Sequence, residues 1–114
     1  MVERLEILQG TLDLMVLQTL AAMGPLHGYG LARRIEQVSG EALVLNQGTC
    51  YAALVRLQQR GWIRSRWGTS ENNRRAKFYE LTGAGRRRLA AQVSAFGRLV
   101  AVISRLASAP GSGR

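Results

Sequence analysis

The sequence predicts a mainly α-helical chain that carries one small β-hairpin and ends in a long helix. Three observations lead there. Residues 12–23 are apolar on most of their circumference, as in a helix buried on several sides. Residues 62–67 and 76–82 alternate at period two on either side of a polar, turn-rich segment. From residue 84 to 107, Leu89, Val93, Phe96, Val100, Ile103 and Ala107 recur at 4-3-4-3-4 spacing, the repeat of a helix that pairs along one seam.

Length and composition bound the expectation. The 114 residues suffice for one domain with an appended element, and 46% apolar with 20% charged residues is a globular balance. No uninterrupted run of 18 apolar residues occurs, so no membrane span is expected, and the first residues lack the pattern of a secretion signal. A single cysteine, Cys50, cannot form an internal disulfide and suits a reducing cytoplasm, which is the expected location.

The first helix is expected at residues 12–23, with Thr11 as N-cap, Asp13 in the first turn and Gly24-Pro25 as its stop. The second runs from His27 to Ser39 and stops at Gly40. Its expected inward stripe is Tyr29, Leu31, Ala32, Ile35 and Val38, and His27 is a structural hydrogen-bonder at the helix start. Residues 42–45 read as a short strand or an extended linker.

The third helix starts after Asn46, a good cap. With Leu54 taken as inward and about 100° per residue, Cys50, Tyr51, Leu57 and Gln58 fall on the inner half. Gly48, Thr49, Ala52, Ala53, Arg56, Gln59 and Arg60 fall on the outer half. The outer face is thus small in its first turns and long and polar in its last. The hairpin places Ile63, Ser65 and Trp67 on one face and Arg64 and Arg66 on the other, with Asn72-Asn73 suited to the turn.

Charge then points to a partner. Net charge is +9, and residues 56–88 hold ten basic and two acidic side chains, so they carry +8 of it. Such clustering is the footprint of a phosphate-binding surface. A helix with a small outer face running into a basic hairpin is a winged helix-turn-helix, whose helix enters a DNA groove while the hairpin follows the flanking backbone. Phosphate contacts are expected from Arg56, Arg60, Arg64, Arg66, Arg74, Arg75 and Lys77, and base contacts from Thr49, Ala52, Arg56 and Gln59. Gln47 and Asn73 complete the candidate set.

The terminal seam, widened by Leu99 and Leu106, spans about 36 Å at 1.5 Å per residue. That is too long for some 80 residues to cover, so a second copy is the expected partner. The boundaries read as 1–82 for the DNA-binding domain, 83–107 for a dimerisation helix and 108–114 for a disordered tail. One histidine, no clustered carboxylates and no metal-ligand spacing argue against an enzyme, a metal or another cofactor.

Several stretches together resemble the PadR family of bacterial transcriptional regulators. They are Leu12-Asp-Leu-Met-Val-Leu17, His27-Gly-Tyr-Gly30, Gly48-Thr-Cys-Tyr51 with Leu54 and Arg56-Leu57, Gly61-Trp-Ile63, Ser70-Glu-Asn-Asn-Arg-Arg-Ala-Lys-Phe-Tyr79 and Leu81-Thr-Gly-Ala-Gly85. The short final helix looks like the smaller subgroup of that family. The resemblance implies a homodimer that binds an inverted-repeat operator, usually to repress. It implies a recognition helix at residues 47–60, with Thr49 and Tyr51 near backbone and groove, and a wing at 69–77. It makes the last helix the main dimer element (Leu89, Val93, Phe96, Leu99, Val100, Ile103, Leu106), supported by Leu12, Met15 and Val16 of helix one. It also admits a hydrophobic or aromatic small-molecule effector between subunits, near Phe96. The family commonly has leucine and proline where this chain has Cys50 and Ala52; Cys50 falls inward as a small core hydrophobe. The competing function class is a small RNA-binding or nucleoid-associated protein using the same charge without sequence choice.

Overall fold

A computed structural model describes residues 9–111. The elements are α1 (Gln9–Met23), β1 (Leu26–His27), α2 (Gly28–Val38), α3 (Gln47–Gln59), β2 (Ile63–Thr69), β3 (Arg75–Leu81) and α4 (Gly83–Ser108). The first eight residues of the expected DNA-binding domain and the last three of the expected tail lie outside the described residues.

Helix α1 is the hub, touching α2, α3, α4 and β3. Already helical at Gln9, it holds Thr11 within the helix rather than at its cap and Asp13 beyond its first turn. It stops at Gly24, whose φ of 79° a side-chain-bearing residue rarely adopts. Leu12 and Val16, expected at a subunit interface, are 3% and 0% exposed in the chain's own core, and Met15 packs against that core. Leu12 and Val16 therefore face the chain's own core, while Met15 stays partly exposed.

Two residues after α1, the chain makes a strand that periodicity did not predict. Leu26 pairs with Tyr79 and His27 with Phe78, giving an antiparallel sheet of order β1-β3-β2. His27 also caps α2, its Nδ1 accepting from the Gly30 N–H at 3.0 Å. Leu31, Ala32 and Ile35 are buried, whereas Tyr29 and Val38 of the expected stripe are exposed. An 11-residue helix buries one narrow arc, and these two lie at its margins. Helix α2 closes with paired bonds from Gly40 N–H to Gln37 O and Glu41 N–H to Glu36 O. Residues 43–46 belong to no helix or strand.

Asn46 caps α3 through Oδ1, which accepts from Thr49 N–H at 2.7 Å. The same two-bond closure as in α2 ends it at Gly61: Gly61 N–H to Gln58 O and Trp62 N–H to Leu57 O. Its buried side chains are Cys50, Ala53, Leu54 and Leu57. Ala53 is therefore inward, while Tyr51 and Gln58 face out, opposite to the expectation for these three.

The hairpin register runs from Ile63 opposite Leu81 to Thr69 opposite Arg75. Ile63, Tyr79 and Leu81 seal the core. Strand β3 passes into α4 through the single residue Thr82. Its hydroxyl donates to Gly61 O at 2.7 Å and accepts from Gly85 N–H at 3.0 Å, and its N–H donates to Trp62 O. Gly85 is buried, and a Cβ there would run into the Trp62 carbonyl.

Only the start of α4 packs on the rest of the chain. Leu89 is buried in the core, not at an interface, whereas Val93, Phe96, Leu99, Val100, Ile103 and Leu106 are 43–71% exposed. The helix extends the molecule to 65 Å in its longest dimension. By length and composition α4 is also apolar enough to cross a bilayer, with a mean hydropathy of 1.3 over 18 residues. That measure averages over the arginines and serines of α4 and so differs from the uninterrupted apolar run that the sequence lacks.

Candidate nucleic-acid interface

On α3, Gln47, Gly48, Thr49, Tyr51, Ala52 and Gln59 are exposed, as is Arg60 at its C-cap, and together they form the exposed strip of the helix. Its small residues leave the first turns open to close approach by a flat partner. The hairpin rises beside this end of the helix. Its tip is tied by Ser70 N–H to Arg74 O at 2.7 Å and Asn73 N–H to Ser70 O at 2.9 Å. Asn73 has the left-handed φ of 57° expected of a turn asparagine. Between the tip and the starts of α2 and α3 lies a cleft of about 430 Å³, lined by Gln47, Tyr51, Arg74, Arg75 and Lys77 among others. The fold thus brings these helix and hairpin candidates to one surface.

Trp67 was not among the candidates. It is exposed near the tip, with the Arg75 guanidinium 4.7 Å and the Lys77 ammonium 5.9 Å from its ring centroid. These cation–π contacts hold two of the wing charges on one side of the ribbon. The strand alternation that placed Trp67 on one face, with Lys77 directly opposite in register, was the available signal.

Three arginines depart from the expected set. Arg56 turns onto α1, where Nη2 meets Asp13 Oδ1 at 2.7 Å and Nε meets Oδ2 at 3.5 Å. Asp13 is the one buried charged residue among those described, and Arg56 neutralises it. Arg64 and Arg66 lie on the opposite face of the ribbon from Trp67 and share Glu80, at 3.2 and 3.7 Å. They are not brought together with the α3 strip. Arg60 and Arg88 stack on Trp62, at 5.3 and 4.6 Å from its centroid.

Under the cleft sit Cys50 and Tyr79. The Cys50 Sγ lies 3.8 Å from the Gly28 carbonyl, and burial pushes its thiol above the ordinary range, as for an inert core residue. The Tyr79 phenol is raised by burial first, then by the neighbouring Tyr51 and Cys50.

Solved structures with this arrangement include transcriptional regulators. A transcriptional regulator from Clostridium thermocellum superposes with a TM-score of 0.76 at 27% identity, covering 85% of this chain and 93% of its own. A PadR family transcription regulator from Clostridium difficile gives 0.72 at 26% identity, over 84% and 97%. The class is a winged-helix transcriptional regulator. The family described as "Transcriptional regulator PadR-like family" matches residues 16–91, well over half the sequence, and the chain belongs to it. A curated relative, a 37.1 kDa protein in transposon TN4556 of Streptomyces fradiae, is 40% identical over 87 residues. That stretch is 76% of this chain and 23% of the relative, so the chain spans less than a quarter of the relative's length.

Proposed function

We propose that the protein is a homodimeric repressor that binds an inverted-repeat operator in double-stranded DNA. The observation that carries this reading is the shared surface of the exposed α3 strip and the Arg74–Lys77 side of the wing. Thr49, Ala52 and Gln59 sample base edges, helped by Gln47 and Tyr51 near the groove wall. Arg60, Asn73, Arg74, Arg75 and Lys77 hold the phosphates. The exposed α4 seam from Val93 to Leu106 pairs with a second copy, which sets two recognition helices about one helical turn, roughly 34–36 Å, apart. A hydrophobic or aromatic effector lodges in the groove between α1 and α4, where Leu14, Phe96 and Leu99 line about 600 Å³. In this reading residues 9–82 form the DNA-binding unit and α4 the dimer element.

Selection of bound duplexes from a random pool, followed by competition against random duplex at fixed salt, tests the reading. A recovered palindromic site bound at least a hundredfold more tightly than random DNA is expected. Equal binding to both would return the protein to the class of non-specific basic proteins.

A further inference from the structure

The proposed DNA contacts leave one large side chain of the wing without a role. Trp67 is 57% exposed, so burial in the core does not account for an indole at this position. Its neighbours are specific. In the hairpin register Trp67 stands opposite Lys77, and Arg75 lies on the same face two residues away along β3, opposite Thr69. Both cations sit over the indole, Arg75 at 4.7 Å and Lys77 at 5.9 Å from its centroid. Lys77 also lines a small hollow with Gln58 and Gln59, so this side of the ribbon adjoins the α3 strip. The other face is arranged differently, with Arg64 and Arg66 tied to Glu80. Among the described residues neither Arg75 nor Lys77 has a carboxylate partner. A carboxylate holds a cation by spending its N–H donors and cancelling its charge. An aromatic face holds it through the ring quadrupole and leaves the charge whole, with donors free to turn outward.

We propose that Trp67 is a positioning residue for DNA binding: its indole holds Arg75 and Lys77 in place before the duplex arrives, without neutralising either. The inference rests on the DNA-binding reading and adds to it the residue that orders the wing. Long cationic side chains lose rotamer freedom when each is fixed on a phosphate, and that loss weakens binding. Over the indole, part of it has already been met in the free protein. Trp67 thus raises affinity through its two neighbours alone, and it leaves the preference among bases unchanged.

The test is a mutant cycle on the full chain, read at fixed salt with a duplex recovered by selection and with a random duplex. Trp67→Leu keeps an apolar side chain but no aromatic face, and it is expected to weaken both duplexes roughly fivefold, the order of two exposed cation–π contacts. Trp67→Phe, which keeps a face, should recover most of that loss. In the background of Arg75→Ala with Lys77→Ala, the further change Trp67→Leu should cost nothing. A loss that persists in that background, or that falls on the selected duplex alone, would overturn the proposal and make Trp67 a direct DNA contact. Equal affinity of Trp67→Leu and wild type would overturn it as well. A second arm needs no DNA. The side-chain protons of Arg75 and Lys77 should show upfield ring-current shifts by NMR in wild type that vanish in Trp67→Leu. If wild type binds no duplex at all, the DNA-binding reading falls. If it binds duplex and the ring-current shifts are absent, only the role of Trp67 falls.

Discussion

Arg56 and Asp13 meet at 2.7 Å across the contact between α3 and α1, joining the helix that presents the exposed strip to the hub of the core. The pair is lopsided, because the aspartate is nearly buried while the arginine keeps about a quarter of its side chain in solvent. Arg56→Met strands a buried carboxylate and should cost about 3 kcal/mol, whereas Asp13→Asn releases an arginine that can turn to water and should cost about 1 kcal/mol. Urea unfolding of both variants and of the double variant measures this; equal costs would show that Asp13 is not effectively buried.

Two glycines in α4 should respond in opposite directions. Gly85→Ala drives a methyl into the Trp62 carbonyl, which is backbone and cannot swing away, so a loss of about 3 kcal/mol is expected. Gly97 has open space around its missing Cβ, and Ala there should raise helix stability by about 1 kcal/mol. Thermal unfolding should place the two midpoints on either side of wild type.

Alkaline pH should destabilise the fold. Burial raises both Cys50 and Tyr79, so the folded state keeps their protons after the unfolded chain has lost them. Their contribution is complete below the ordinary values of 9.0 and 10.0 and is lost as pH rises from there through the folded values. Stability followed against pH should fall less steeply in Cys50→Ala and in Tyr79→Phe than in wild type.

Charge placed on the free seam of α4 should separate the subunits. Val100→Glu with Ile103→Glu is expected to weaken self-association at least a hundredfold in sedimentation, leaving the core intact because neither residue is buried in it. A variant that sediments like wild type would remove the seam from the interface.

On the DNA surface, Arg74→Ala should weaken all duplexes alike and lower the salt slope by about one. Gln59→Ala should instead change which bases are preferred. Uniform weakening by both would end the division between phosphate and base contacts.

Much of this architecture was legible because short-range signals agree. Asn46, Gly40 and Gly61 bound α2 and α3 within a residue or two of expectation, and the 4-3 seam announced α4. The misses share a cause: each depends on a partner far along the chain. Arg56 looked free until the fold brought Asp13, 43 residues away, under it. Ala53 and Tyr51 exchanged sides because α3 packs against both α1 and α2, which moves its buried arc away from the one centred on Leu54 alone. Strand β1 is two residues long and exists only because β3 offers it an edge. At the candidate interface, Trp67 and Tyr79 carry no local mark of their surroundings. Register alone puts Lys77 beside one and the cleft above the other.

The junction at Thr82 has a mechanical corollary. With no slack residue between β3 and α4, the ribbon and the long rod behave as two arms of one bent lever hinged on the Gly61–Trp62 carbonyls. The seven-residue arm is about 23 Å long, so a tilt of about 5° at the rod carries the ribbon's end through about 2 Å. Displacement of that size is enough to make or break a hydrogen bond, far from where the push is applied.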